Sequence, residues 1–282
     1  MRPSSLTVIG LGAIGGSLAW QARQSGIPRV VGFARSRADG VQALKASAIT
    51  ELADTPALAI AAAQLVVLAV PPRATLDLIA KLAPALEPGS VLTDVCSVKL
   101  PVMECAVSHG LGDRFAGSHP LAGTHASGFS AATPSRLRGC AVYVCETGGL
   151  GGDGAARAVM RFWEDVIEAS PILIDAAAHD RQLAWTSHLP QAVASALAKT
   201  LADRGLAGLS FGTGARDTTR LAASSPDLWI DILLYNREAV AEALASTEAQ
   251  VAELRRLIAA GNAAGLRDYL ASAQQFREGL DR

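Results

Sequence analysis

Val8-Ile9-Gly10-Leu11-Gly12-Ala13-Ile14-Gly15-Gly16-Ser17 is the stretch from which the rest of the chain is read. Apolar residues at Leu6, Val8 and Ile9 run into Gly10, and Leu18-Ala19-Trp20 continue beyond it with helical spacing. Between strand and helix lies G-x-G-x-x-G. Gly10 permits a tight strand-to-helix turn, Gly12 lets a pyrophosphate approach bare backbone, and Gly15 lets helix and strand pack closely. The unpaired N–H groups and positive dipole end of that helix suit phosphate. A turn that merely happens to be glycine-rich would need neither the strand before it nor the helix after it. The segment Gly10, Leu11, Gly12, Ala13, Ile14 and Gly15 is therefore expected to cradle a dinucleotide.

Working outward, strand and helix patterns alternate from residue 5 to about 175. Strands are expected at Leu6–Ile9, Arg29–Phe33, Leu65–Val70, Ser90–Asp94, Phe115–Gly117, Ala141–Cys145 and Pro171–Ile174, with helical stretches between most of them. Val66-Val67-Leu68-Ala69-Val70 is apolar throughout, as a strand covered on both faces should be. Such alternation implies an α/β fold with a parallel, doubly wound sheet of Rossmann type. Its ligands should sit beyond the carboxyl ends of the strands, which gathers Gly10–Gly15, Ala34–Arg37, Val70–Arg73 (Val70 and Pro71 first), Asp94–Lys99 and Ser118–Gly123 into one neighbourhood. From residue 176 the period becomes helical and stays so. One long helix is expected over 176–201, kinked at Pro190, with others at about 214–223, 226–246, 248–260 and 263–278. Residues 1–175 thus read as a dinucleotide-binding domain and 176–282 as an all-α domain. Its apolar positions (Leu233, Leu234, Val240, Leu244, Val251, Leu254, Leu257, Ile258) exceed what one short bundle buries, so it is expected to pair with a second copy.

The bulk numbers narrow the partners. In 282 residues, 25 basic and 26 acidic side chains leave a formal charge of −1 with no long run of either sign, which argues against nucleic acid or an anionic membrane. The longest apolar run, Ala57 to Val70, holds Gln64 and is too short for the roughly 20 residues of a membrane span. A strand by residue 6 leaves no room for a signal peptide. Cys96, Cys105, Cys140 and Cys145 lack C-x-x-C or metal spacing, so no metal is expected and the thiols read as reduced. A cytoplasmic enzyme acting on a small molecule fits best.

Several polar residues need explaining. The second strand is followed by Ala34-Arg35-Ser36-Arg37, where an NAD site usually carries an acid for the ribose hydroxyls. Arg35, Ser36 and Arg37 suit the 2′-phosphate of NADP, which is expected over NAD; the other reading is a solvated turn. In Gly117-Ser118-His119-Pro120-Leu121-Ala122-Gly123, His119 is held between Gly and Pro in what reads as a loop, suited to accept a proton near neutral pH. Ser97, in Asp94-Val95-Cys96-Ser97-Val98-Lys99, either caps the next helix or donates to a ligand. Ser187-His188-Leu189-Pro190-Gln191 sets Ser187 and Gln191 at i, i+4. Arg216-Asp217-Thr218-Thr219-Arg220 offers two guanidinium groups for carboxylates, or an internal Asp217–Arg220 ion pair.

In this order, and behind the glycine loop, these motifs resemble the prephenate/arogenate dehydrogenases of tyrosine biosynthesis. Asp227-Leu228-Trp229-Ile230-Asp231-Ile232 and Asn236 resemble the family's stretch after the arginine motif, so the likeness runs from about residue 6 to 240. It implies oxidation by NAD(P) at the ring carbon bearing the hydroxyl, coupled to loss of the ring carboxylate. It also implies His119 as the proton acceptor with Ser97 beside it, Arg220 on a substrate carboxylate, and Asp217 fixing the arginine motif. Ser187, His188, Gln191, Thr124 and His125 would complete the substrate site. Two positions depart from the family. His125 stands where an acid is usual, and Gln191 where a His often follows Ser-His-Leu-Pro. An acid would favour the ammonium of arogenate, so its absence tilts the expectation toward prephenate; NADP, which the resemblance pairs more with arogenate enzymes, pulls the other way, and arogenate stays open as the alternative substrate.

Overall fold

In the computed structural model the described residues are 2–123, 127–146, 154–205 and 210–280. Eight strands form one sheet in the order β3-β2-β1-β4-β5-β6-β7-β8. They are β1 (Ser5–Ile9), β2 (Arg29–Phe33), β3 (Glu51–Leu52), β4 (Leu65–Leu68), β5 (Val91–Asp94), β6 (Phe115–Pro120), β7 (Ala141–Glu146) and β8 (Ser170–Leu173). The helices between them are α1 (Ala13–Gln24), α2 (Arg37–Lys45), α3 (Pro56–Ala59), α4 (Pro72–Leu82), α5 (Leu100–Ser108) and α6 (Ala155–Asp165). The order reverses between β1 and β4. At that crevice the chain leaves both strands at their carboxyl ends, as the doubly wound reading requires.

Side chains alternate across the sheet with period two. Leu6, Val8, Val30 and Val67 pack on one face with Leu18, Phe162 and Trp163, while Ile9, Val66, Leu68 and Leu92 pack on the other with Ile79, Val102 and Phe115. Polar Thr7 is fully buried in β1, and its hydroxyl donates to Ala59 O at 2.6 Å.

The sheet departs from an all-parallel one at a single pairing: β7 runs antiparallel to β6, from Ala116 opposite Glu146 to Pro120 opposite Val142. A parallel return needs a crossover element, usually a helix. Between Pro120 and Ala141 the described residues form only a short 3₁₀ turn, Phe129–Ala131. The expected strand Phe115–Gly117 also runs on through Ser118, His119 and Pro120, so His119 belongs to a strand and not to a loop.

The helices after the sheet are α7 (Ala176–Leu183), a π turn (Ala184–His188), α8 (Leu189–Asp203), α9 (Thr213–Thr219), α10 (Pro226–Tyr235), α11 (Arg237–Ala259) and α12 (Ala263–Gly279). The expected helix break near 247 lies instead at Asn236. The π turn comes just ahead of Pro190, which has no N–H and whose ring crowds the carbonyl of Thr186; a widened turn relieves both.

Two compact units result. The first holds Met1–Leu183 with Ala223–Asn236, the second Ala184–Ala222 with Arg237–Arg282. The first unit recruits α7 and α10 through specific bonds: Asp180 of α7 accepts from the N–H of Lys99 and Leu100, and Asp231 of α10 accepts from the N–H of Arg73. In the second unit α11 and α12 form a pair, with the Tyr269 hydroxyl donating to Gln250 O at 3.3 Å.

Candidate active site

The glycine turn has the geometry its spacing implies. Gly10 has φ +101°, and a Cβ there would lie 2.2 Å from Ala69 O; a Cβ on Gly15 would lie 1.9 Å from Gly10 O. A Cβ on Gly12 would meet nothing within 4 Å. Two glycines are thus demanded by the protein's own backbone, while the third faces open space, as a backbone approached by a ligand should. Gly12 caps α1 with no side-chain bond, and the first turn carries no acid, so the helix N-terminus is left to an anion. Leu11, Ala13 and Ile14 complete the turn, and Val70 and Pro71 follow the neighbouring β4. These residues fit a dinucleotide pyrophosphate.

At the end of β2, Arg35, Ser36 and Arg37 are exposed and Ala34 half-buried. The Ser36 hydroxyl accepts from Asp39 N at 3.3 Å and so caps α2, and Arg37 pairs with Asp54 at 3.1 Å.

A buried polar cluster lies at the ends of β5 and β6. Asp94 and Lys99 are both fully buried. Asp94 Oδ2 accepts from Lys99 Nζ and, at 2.8 Å, from Cys96 N; Oδ1 accepts from Ser118 N at 3.2 Å. Lys99 Nζ also donates to Ser118 O at 2.8 Å. The Ser118 hydroxyl is satisfied inside the core, paired with Thr93 Oγ1 at 2.7 Å and receiving the Trp163 indole N–H at 3.0 Å. The ion pair closes the 94–99 loop that carries half-buried Ser97 and ties it to the residue before His119.

Ser97 does not cap α5. Lys99 is the capping position and makes no side-chain bond there; the Asp180 carboxylate does the work, accepting from Lys99 N at 2.7 Å and Leu100 N at 2.9 Å. Among the described residues no hydrogen bond engages the Ser97 hydroxyl.

His119 is 8% exposed. Its Nδ1 lies 2.9 Å from His179 Nε2, and His179 Nδ1 lies 2.7 Å from Asp180 Oδ1. Tyr143, opposite His119 in the β6–β7 register, sets its ring edge-on to His179 at 5.5 Å and receives Gln182 Nε2 on its hydroxyl. Asn236 Nδ2 holds Asp180 O at 2.8 Å. Burial pushes the His179 imidazole below the usual His range, against the opposing effect of its hydrogen bond to Asp180.

His179 and Asp180 are not singled out by any sequence motif, but a signal exists. The buried face of α7 is Ala176, His179, Asp180 and Leu183, an i, i+3, i+4, i+7 stripe with two polar members. Polar residues on a buried face must find partners.

The remaining candidates belong to the second unit. Ser187 is half-buried and His188 buried, both in the π turn and not in the α-helix expected there. Gln191 is buried in α8, with Nε2 donating to Ser195 Oγ at 3.3 Å. Asp217 lies in the last turn of α9 and Arg220 opens the following 3₁₀ turn, both exposed. Thr124 and His125 lie outside the described residues. The four cysteines are free thiols, all raised by burial, Cys145 to about 12, so none is poised as a nucleophile.

Two family models match the chain in succession: the nucleotide-binding domain of prephenate dehydrogenase over residues 18–170 and its dimerization domain over 175–272. A prephenate dehydrogenase of Bacillus subtilis (strain 168) is 31% identical, over 98% of this chain and 76% of the relative. Among solved structures, prephenate dehydrogenase from A. aeolicus in complex with hydroxyphenyl propionate and NAD+ is 29% identical with a TM-score of 0.89, covering 98% of each chain. Synechocystis arogenate dehydrogenase is 28% identical with a TM-score of 0.81, covering 98% of this chain and 99% of its own. With both models in order along the chain, a nucleotide turn just ahead of the first and a buried histidine within it, this chain belongs to the prephenate dehydrogenase family of NAD(P)-dependent oxidoreductases.

Proposed function

We propose that the chain converts prephenate to 4-hydroxyphenylpyruvate and CO2, with NADP as the hydride acceptor and His119 as the group that holds the substrate's hydroxyl proton. The observation that carries this reading is His119 at the end of β6, nearly buried, with Nδ1 engaged behind it by His179. A nicotinamide dinucleotide, when bound at the Gly10–Gly15 turn, supplies the hydride acceptor. His119 takes the hydroxyl proton as the ring C–H bond gives up its hydride. The bond to the ring carboxylate then breaks, CO2 leaves, its electron pair completes the aromatic ring, and His119 returns the proton to the phenol oxygen. No proton has to reach solvent, which suits a side chain with so little exposure. Ser97 donates beside His119 and orients the hydroxyl. Arg220, with Asp217 beside it in the sequence, binds a substrate carboxylate, and Ser187, His188, Gln191, Thr124 and His125 complete the substrate site.

The arginines after β2 support NADP. Arg37's ion pair with Asp54 is exposed, and exposed pairs are worth under about 1 kcal/mol, so a 2′-phosphate readily takes the guanidinium over. Prephenate is favoured over arogenate because neither Gln191 nor His125 offers a carboxylate to an ammonium.

His119→Gln should leave cofactor binding intact and lower turnover by about 10²–10⁴-fold, the range general base catalysis supplies. Unchanged turnover would remove His119 from the mechanism.

We further infer a homodimer in the cytoplasm, built on the second unit. Its helices leave Val251, Ile258, Leu270 and Phe276 more than half exposed. No helix among the described residues is long and apolar enough to cross a membrane.

A further inference from the structure

This inference rests on His119 as the proton acceptor and concerns the two residues behind it. A carboxylate can only accept, and Asp180 Oδ1 already takes the N–H of Lys99. The His179 nitrogen it faces, Nδ1, is therefore the protonated one. Burial keeps the His179 ring neutral, so its Nε2 carries a lone pair. The His119 nitrogen facing that lone pair, Nδ1, must then be a donor. In a neutral ring this places the lone pair of His119 on Nε2.

We propose that His179 and Asp180 are positioning residues for His119, fixing the tautomer that presents its Nε2 lone pair to the substrate and stabilising the imidazolium formed while His119 holds the proton. When Nε2 takes that proton, the positive charge on His119 is met at Nδ1 by a hydrogen-bond acceptor that is itself anchored on an anion. Without the acceptor, the Nδ1 proton of an imidazolium this poorly exposed would be left without its partner.

The other charged and titratable groups around the pair have been given partners by the fold. Asp94 and Lys99, from β5 and the loop after it, neutralise each other, and Tyr143 of β7 presents a ring edge. Asp180 of α7 is the carboxylate in direct contact. Its backbone is held by Asn236 and its oxygens by α5, so the relay is built on two helices and a strand that cannot shift independently.

The test uses three variants of the full chain, with turnover measured from pH 5 to 9 beside His119→Gln. His179→Leu removes the acceptor. It should lower kcat/KM by about 100-fold and move its acidic limb down by more than about half a pH unit, because protonated His119 has lost its support. His179→Gln can give its amide N–H to Asp180 and its carbonyl to His119, and it should recover most of the rate and the position of the limb. Asp180→Asn can keep a carbonyl oxygen on Lys99 N and His179 Nδ1 but removes the anion that anchors the acceptor and sets an amide N–H against Leu100 N, and it should cost more than His179→Gln while cofactor affinity stays at the wild-type value.

Loss in His179→Leu with rescue by Gln and a moved limb supports the proposal. Wild-type turnover and an unmoved limb in His179→Leu, with His119→Gln inactive, overturns it and leaves the His119 assignment standing. Equal losses in the Leu and Gln variants with an unmoved limb also overturn it, since that is what a purely structural role would give. An active His119→Gln overturns the underlying reading instead.

Discussion

Gly10, Gly12 and Gly15 share a motif but not a reason. Gly10 and Gly15 are required because Ala69 O and Gly10 O leave no room for a Cβ, whereas nothing in the described protein crowds Gly12, whose proposed reason is the ligand. Gly15→Ala should cost about 1–3 kcal/mol, the range for overpacking, and lower the melting temperature. Gly12, at φ −78°, is in a conformation any residue adopts, so Gly12→Ala should cost less than about 1 kcal/mol yet weaken cofactor binding markedly. A melt and a cofactor titration on both variants check this. A Gly12→Ala protein that binds as tightly as wild type would contradict the cradle. These roles are legible in the sequence because the G-x-G-x-x-G spacing between a strand and a helix is itself a signature. His179 and Asp180 were not legible, since their meaning depends on contact with a residue 60 positions away. The polar pair on the buried stripe of α7 was the available clue. Ser97 shows the reverse case: its sequence fits an N-cap, and tertiary structure hands that task to Asp180.

Element existence was mostly readable, and element ends were not. Arg29–Phe33 and Leu100–Ser108 form where their apolar patterns begin and stop. His119 looked like loop because Gly, Ser and Pro around it are poor strand formers, yet pairing with β7 carries the strand through Pro120. The break at Asn236 was hidden by an apolar pattern that runs through it; the asparagine side chain instead serves the first unit by holding Asp180 O. Pro190 marked an irregular helix without saying which kind, and the π turn over Ala184–His188 is the form taken. The Asp94–Lys99 pair joins the end of β5 to the start of α5. Removing one partner of such a buried pair typically costs about 3–5 kcal/mol, because the other charge is left uncompensated. The loop carrying Ser97 is therefore a fixed part of the core.

For the whole molecule, the period becomes helical near residue 175, whereas the first compact unit runs on to Leu183. What periodicity could not show is that α10 returns to the first unit. The apolar side chains exposed on α11 and α12 should be covered by a second copy. Sedimentation equilibrium should give twice the chain mass, and Phe276→Glu should shift it toward one; a wild-type monomer would contradict the homodimer. Substrate and cofactor preference also belong to this scale, because they depend on the complete site. The most direct measurement is reduced-nicotinamide formation by the purified protein with prephenate or arogenate and NAD or NADP, in all four combinations. Turnover with prephenate and NADP well above the other three is the expected result. Silence in all four, with the cofactor still bound, would contradict the proposed reaction.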